Sequence, residues 1–193
     1  MRTARVLLVV IFALLAAGNP ASAEGSRFEL REWGIRAGGG MNPSSQIQYY
    51  AIHPYVGLSL WDPASQWFAR HGTQALWMIE PWAAYVDDDH GKHQTSSFEL
   101  GVNALFFRLV FGEAAVRPFI EAGEGLVYTD LRKQDLGTRI QFTSTFGVGL
   151  EYALRPDLSV GFQIRIRHMS NAGLGSSNPG INTAFGLFGV TFR

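Results

Sequence analysis

From Ile140 to Tyr152 the chain alternates strictly with period two. The even positions are Ile140, Phe142, Phe146, Val148, Leu150 and Tyr152, with Ser144 the one polar member. The odd positions are Gln141, Thr143, Thr145, Gly147, Gly149 and Glu151. Successive strand side chains point to opposite faces, so this segment is a strand with one apolar wall and one small, polar or charged wall. The pattern recurs where Val160, Phe162, Ile164 and Ile166 oppose Gly161, Gln163 and Arg165, and where Phe98, Leu100, Val102 and Ala104 oppose Glu99, Gly101 and Asn103. Two folds accept such strands: a soluble sheet that buries the apolar wall, or a membrane barrel that turns it to lipid and fills its lumen with the other. Segments of roughly 10–14 residues are long for a globular strand and right for a tilted membrane span. Length therefore favours the barrel, and a secreted soluble β domain binding a small apolar ligand is the rival.

Eight such segments are expected, at 30–41, 46–61, 76–87, 97–110, 116–129, 139–153, 158–170 and 182–192. An even number lets an antiparallel barrel close with both ends on one side and leaves no unpaired edge in lipid. The expected fold is all-β, an eight-stranded antiparallel transmembrane β-barrel. With its ends periplasmic, its outer loops fall at 42–45, 88–96, 130–138 and 171–181, and its inner turns at 62–75, 111–115 and 154–157. The 62–75 connection is long for a periplasmic turn, and Arg193 follows Phe192 where bacterial barrels often end on an aromatic residue. Glu99, Glu151, Arg165 and Arg167 take inward parity and are expected to form an ionic network in a lumen too narrow to conduct. Trp33, Trp61, Trp67, Trp77 and Trp82 read as interface or packing aromatics.

The first 23 residues fit export. Arg2 and Arg5 precede the apolar run Val6 to Ala17, and Ala21-Ser22-Ala23 supplies the small residues of a cleavage site. The run is too short for a spanning helix, which needs roughly 20 residues. The expected organisation is a signal peptide, 1–23, and one barrel domain, 24–193, in the bacterial outer membrane. Removing the two arginines leaves 14 Lys and Arg against 16 Asp and Glu. That balance provides no basic field for nucleic acid. The chain has no cysteine, which removes disulfides and thiolate metal sites. A homodimer is open to any barrel with an apolar outer wall, although no residue specifies one.

By parity, His168 and Ser170 continue the outward apolar wall of the seventh segment. Residues i and i+2 lie roughly 6.5–7 Å apart along a strand, so an imidazole can lean toward a hydroxyl and act as its general base. A reactive pair on a lipid-facing wall suits a lipid substrate. The bland alternative is an interfacial His and Ser followed by plain turn formers. Asp87 to His93 reads first as a solvated turn, with a Ca²⁺ or Mg²⁺ site as the sharper alternative, and no metal site is assigned. The chain lacks a Gly-x-Ser-x-Gly elbow, a phosphate loop and a His-Glu-x-x-His motif, which disfavours an ordinary α/β-hydrolase.

The run His168-Met-Ser170-Asn171-Ala172-Gly173 with Asn178-Pro179-Gly180 resembles the signature of the outer-membrane lipid A 3-O-deacylase (PagL-like) family. The likeness extends loosely through eight strands and the Glu80-Pro81 and Glu121-Ala-Gly123 segments. It implies a serine hydrolase site outside the barrel near the outer leaflet, acting without a cofactor on the 3-position ester of lipid A in lipopolysaccharide. Carried over by position, Ser170 is the nucleophile and His168 its base. Asn178 and the Gly173 N–H are oxyanion-hole candidates, and Asn171 holds the loop. Where the family pattern has a glutamate to orient the histidine, this chain has Asn182. An amide can fix a tautomer through its oxygen but does not stabilise an imidazolium as a carboxylate does. Asp130 or Asp135 in the neighbouring loop is the expected candidate to replace that charge. The alternative function is a non-catalytic small barrel with a structural or surface-binding role.

Overall fold

The computed structural model describes residues 28–44, 47–88, 95–131, 136–175 and 177–193. Eight strands are present: β1 (Leu30–Met41), β2 (Gln48–Ser59), β3 (Thr73–Asp88), β4 (Thr95–Phe111), β5 (Val116–Thr129), β6 (Ile140–Arg155), β7 (Leu158–Ser170) and β8 (Ile181–Phe192). Each pairs antiparallel with its sequence neighbour, and β8 closes the barrel on β1. Every strand end lies within three residues of the position that alternation alone gives. The long inner connection is not a plain turn. It contains α1 (Asp62–Arg70), a helix with Pro in its first turn, Asp62 at its start and Arg70 at its end. Those residues suit the open N–H groups and the dipole of a short helix.

Burial decides between the two settings that alternation leaves open. Ile166 is 57 % exposed while its neighbour Arg165 is 2 % exposed. The same inversion runs along β6, where Phe142, Phe146, Val148 and Leu150 face out and Gln141, Thr143 and Glu151 are buried. A soluble sheet would reverse this, so the fold is that of a transmembrane barrel. Aromatic pairs mark both ends of the wall. Tyr50–Tyr85 and Phe98–Tyr128 lie toward the 42–45 and 130–139 connections, with Trp33–Phe192 and Phe28–Trp77 toward α1.

The lumen is filled by side chains. At its centre Glu80 accepts from Arg36 Nη1 (2.9 Å), Arg165 Nη1 (2.6 Å) and Asn103 Nδ2 (2.9 Å). Glu121 binds Arg108 Nε at 2.6 Å and Arg165 Nη2 at 2.9 Å. Arg193 reaches Glu32 (3.0 Å) and Glu151 (2.6 Å), so the terminal arginine after Phe192 joins the network at the α1 end. Arg167 pairs with Glu99 at 2.8 Å and lies over the Trp82 ring. Trp82 is therefore a lumen residue, unlike Trp33 and Trp77 on the outer wall. Above this ionic layer the lumen turns apolar: Ile47, Val86, Val127, Leu131, Leu136, Met169 and Ile181 form a buried cluster beneath the loops.

Candidate active site on the outer wall

Two of the three residues expected to carry chemistry, His168 and Asn182, meet at the loop end of the β7–β8 pair, and Ser170 lies one outward position further along β7. His168 and Ser170 are the last two outward residues of β7, and His168 is paired in register with Asn182 of β8. His168 Nδ1 donates to Asn182 Oδ1 at 2.8 Å. An amide oxygen can only accept, so this bond puts the proton on Nδ1 and leaves the Nε2 lone pair free to act as a base. His168 and Asn182 are exposed on the wall, and Ser170 is half-buried where β7 runs into its loop. Gly180 has φ +64°, and a Cβ there would stand 2.9 Å from His168 Cε1 and 3.5 Å from Nε2. The loop thus passes against the free edge of the imidazole, and only glycine permits that approach.

Asn171 organises the loop between β7 and β8. It is fully buried, and its Nδ2 donates to the carbonyls of Leu136 and Ser177, both at 2.7 Å. The first bond ties this loop to the one between β5 and β6. Its Oδ1 accepts from the Gly173 N–H at 2.8 Å, and its own N–H donates to Asn178 Oδ1 at 3.0 Å. Both oxyanion-hole candidates are therefore engaged with Asn171, Asn178 through its amide oxygen and Gly173 through its N–H. Ala172, between Asn171 and Gly173, adopts the left-handed conformation at φ 53°. Strain of that kind in a non-glycine residue persists where surrounding bonds over-determine it.

Asp130 does not approach His168. Its Oδ1 accepts from the Phe98 N–H of β4 at 2.6 Å, two strands from β6, so the expectation that it replaces a triad carboxylate fails. Asp135 lies outside the described residues, as does most of the Asp87 to His93 turn. Among the described residues no group of three or more His, Asp or Glu is placed to hold a metal ion.

Two features of the wall escape sequence reasoning. Ser144, the lone polar residue in the apolar series of β6, is paired directly opposite His168 and donates to Glu124 Oε2 of β5 at 2.8 Å. Outward parity along β5 singles out Glu124, because the other outward positions from Val116 to Tyr128 are uncharged. On the other side of His168, an apolar trough of about 480 Å³ runs along the β1–β8 seam, lined by Gly39, Met41, Tyr50, Ile164, Ala184 and Gly186. Ala184 is the next outward residue after Asn182, so the near end of the trough lies one outward position along β8 from the site.

Known proteins bear on this arrangement at two levels. The crystal structure of the outer membrane enzyme PagL superposes with a TM-score of 0.62 at 22 % identity, covering 82 % of this chain and 98 % of that one. Neisserial surface protein A superposes with a TM-score of 0.54 at 12 % identity, covering 87 % of this chain and 97 % of that one. At such identities both establish the small barrel fold and nothing finer. No curated protein sequence matches the chain significantly. The model of the lipid A 3-O-deacylase (PagL) family does match, over residues 48–191, and the chain belongs to that family.

Proposed function

We propose that this protein is a lipid A 3-O-deacylase that works through an acyl-enzyme on Ser170. The observation that carries the reading is the outward His168–Asn182 hydrogen bond beside Ser170, on a wall that faces lipid. His168 Nε2 takes the Ser170 proton as Oγ forms a bond to the ester carbonyl carbon. The tetrahedral intermediate collapses by breaking the bond to the sugar 3-oxygen, and His168 returns the proton to that oxygen. Water, deprotonated by the same imidazole, then attacks the acyl-serine; the acyl–Oγ bond breaks, His168 returns the proton to Ser170 Oγ, and the fatty acid leaves. Asn182 keeps His168 in the working tautomer. Asn178 Nδ2 and the Gly173 N–H serve the oxyanion, the latter by exchanging Asn171 Oδ1 for the developing charge.

The substrate follows from position. A nucleophile on the outer face meets molecules that lie in the bilayer, and the trough over Ala184 and Gly186, one outward position beyond Asn182, offers a path for an acyl chain. In this reading residues 1–23 are a cleaved signal peptide and the site opens to the outer leaflet, where lipopolysaccharide resides.

Mass spectrometry of lipid A from cells making wild type or Ser170→Ala at matched levels tests the proposal. Loss of one ester-linked hydroxyacyl chain with wild type alone is the expected result. Unchanged lipid A in both strains, with the barrel folded and an active deacylase control in the same host, would leave the structural role as the better reading.

A further inference from the structure

Along the outward faces from Val116 to Tyr128, Ile140 to Leu154, Val160 to Ser170 and Asn182 to Phe192, Glu124 is the one carboxylate, and no lysine or arginine joins it. Its surroundings are apolar. Ala122 and Leu126 flank it on β5, Leu105 faces it from β4, and Phe142 and Phe146 flank its partner on β6. Ionisable residues on a lipid-facing wall are costly and usually mark function. This one is registered with the site: Glu124 lies opposite Ser144, Ser144 opposite His168, and His168 opposite Asn182. The four residues form a file across β5, β6, β7 and β8, joined at its ends by the Ser144–Glu124 and His168–Asn182 hydrogen bonds.

We propose that Glu124 is the positioning carboxylate of this site. Held by Ser144, it supplies the negative charge that favours the His168 imidazolium formed when Ser170 gives up its proton. Asn182 fixes the tautomer but carries no charge, so the two tasks of a triad acid are divided between Asn182 on one side of the histidine and Glu124, beyond Ser144, on the other. Two strand spacings put Glu124 roughly 10 Å from His168. A unit charge at that distance is worth about twofold in water but more than tenfold at an effective dielectric of about 20, and a lipid-facing wall lies toward the second limit. No other described charge competes. Arg167 points into the lumen to Glu99, Arg139 donates to the Tyr128 hydroxyl, and Asp130 is bound to the β4 backbone. The outward residues that β6 and β8 present to His168 are uncharged.

The proposal rests on His168 being the base, so its test includes a readout that needs no turnover. Histidine-labelled full-length protein in detergent micelles is titrated by NMR, with the His168 signal assigned by its loss in His168→Gln. Removing a nearby negative charge disfavours the protonated ring. Glu124→Gln is therefore expected to lower the pH of half-titration by about one unit, a tenfold loss of proton affinity. Glu124→Asp retains most of the effect, and Asn182→Glu in the Glu124→Gln background restores it. In lipid A hydrolysis Glu124→Gln lowers kcat about tenfold, leaves KM unchanged and moves the acid limb of the rate profile to lower pH. An unmoved His168 titration in a correctly folded Glu124→Gln barrel overturns the proposal, as does a change confined to KM, which would make Glu124 a substrate contact. A shifted titration without deacylation in any strain supports the electrostatic role and sinks the deacylase reading instead.

Discussion

Asn182 stands where it can orient His168 but not balance its charge: its amide oxygen accepts from Nδ1 at 2.8 Å directly across the β7–β8 pair. In a serine triad the wrong tautomer costs about 10⁴ in turnover, so orientation alone is worth a large factor. Asn182→Ala is predicted to lower kcat by on the order of 10²-fold or more, within the range for losing a positioned base. Asn182→Glu, which adds a charge at the same place, is predicted to raise it. Deacylation rates in mixed micelles decide this, and an Asn182→Ala enzyme as fast as wild type would remove Asn182 from the site.

Gly180 is predicted to be intolerant of alanine for a reason local to the imidazole. The added methyl group would stand 2.9 Å from His168 Cε1 on a backbone at φ +64°. Left-handed strain costs about 1 kcal/mol, and a displaced base costs roughly 10- to 100-fold in rate. Gly72→Ala is the control, since its φ is +67° but open space surrounds it next to α1. Both variants should lose similar thermal stability, and only Gly180→Ala should lose activity.

The trough beside Asn182 is predicted to set acyl-chain preference. A lipid tail is already in an apolar medium, so the trough gains little from hydrophobic burial and selects by shape. Gly186→Leu places a branched side chain in its floor, between Ile164 and Gly39. Hydrolysis of long-chain esters should fall by roughly tenfold while short-chain esters are spared, a size discrimination of the order that pockets achieve. An equal loss for all chain lengths would disconnect the trough from the substrate.

Stability is predicted to depend most on the central lumen. Glu80 is fully buried and accepts from Arg36, Asn103 and Arg165, so Glu80→Ala removes one of two carboxylates those arginines share and leaves both on Glu121 alone. Breaking a buried pair from one side costs about 3–5 kcal/mol, whereas replacing both partners with apolar groups is often close to neutral. Reversible urea unfolding in vesicles should show Glu80→Leu with Arg165→Met to be less destabilised than the sum of the single variants. Strict additivity would mean the pair is uncoupled.

Strand number and strand ends were legible in the sequence because a half-buried wall imposes period two, and that period survives without any knowledge of partners. Parity put Glu99, Glu151, Arg165 and Arg167 on the wall opposite the apolar one and His168 with Ser170 on the apolar one, and strand length, which favours a barrel, made the first wall the inside. It did not reveal α1, because a short helix at a barrel rim needs no long apolar stripe. Nor did it separate Trp82 in the lumen from Trp33 on the wall, since a tryptophan is at home in a packed interior and at a lipid interface alike.

The sequence also determined that His168, Ser170 and the Asn171 loop are neighbours, because they are close along one chain. Which residues flank them from other strands was decided only by closure of the barrel and its register. Asp130 is close in the loop map yet bonds β4, while Glu124, more than 40 positions before His168, shares its file through Ser144. A one-residue slip in register would turn each strand inside out and scatter that file. Local alternation writes each wall, and pairing between strands chooses which side chains on that wall can act together.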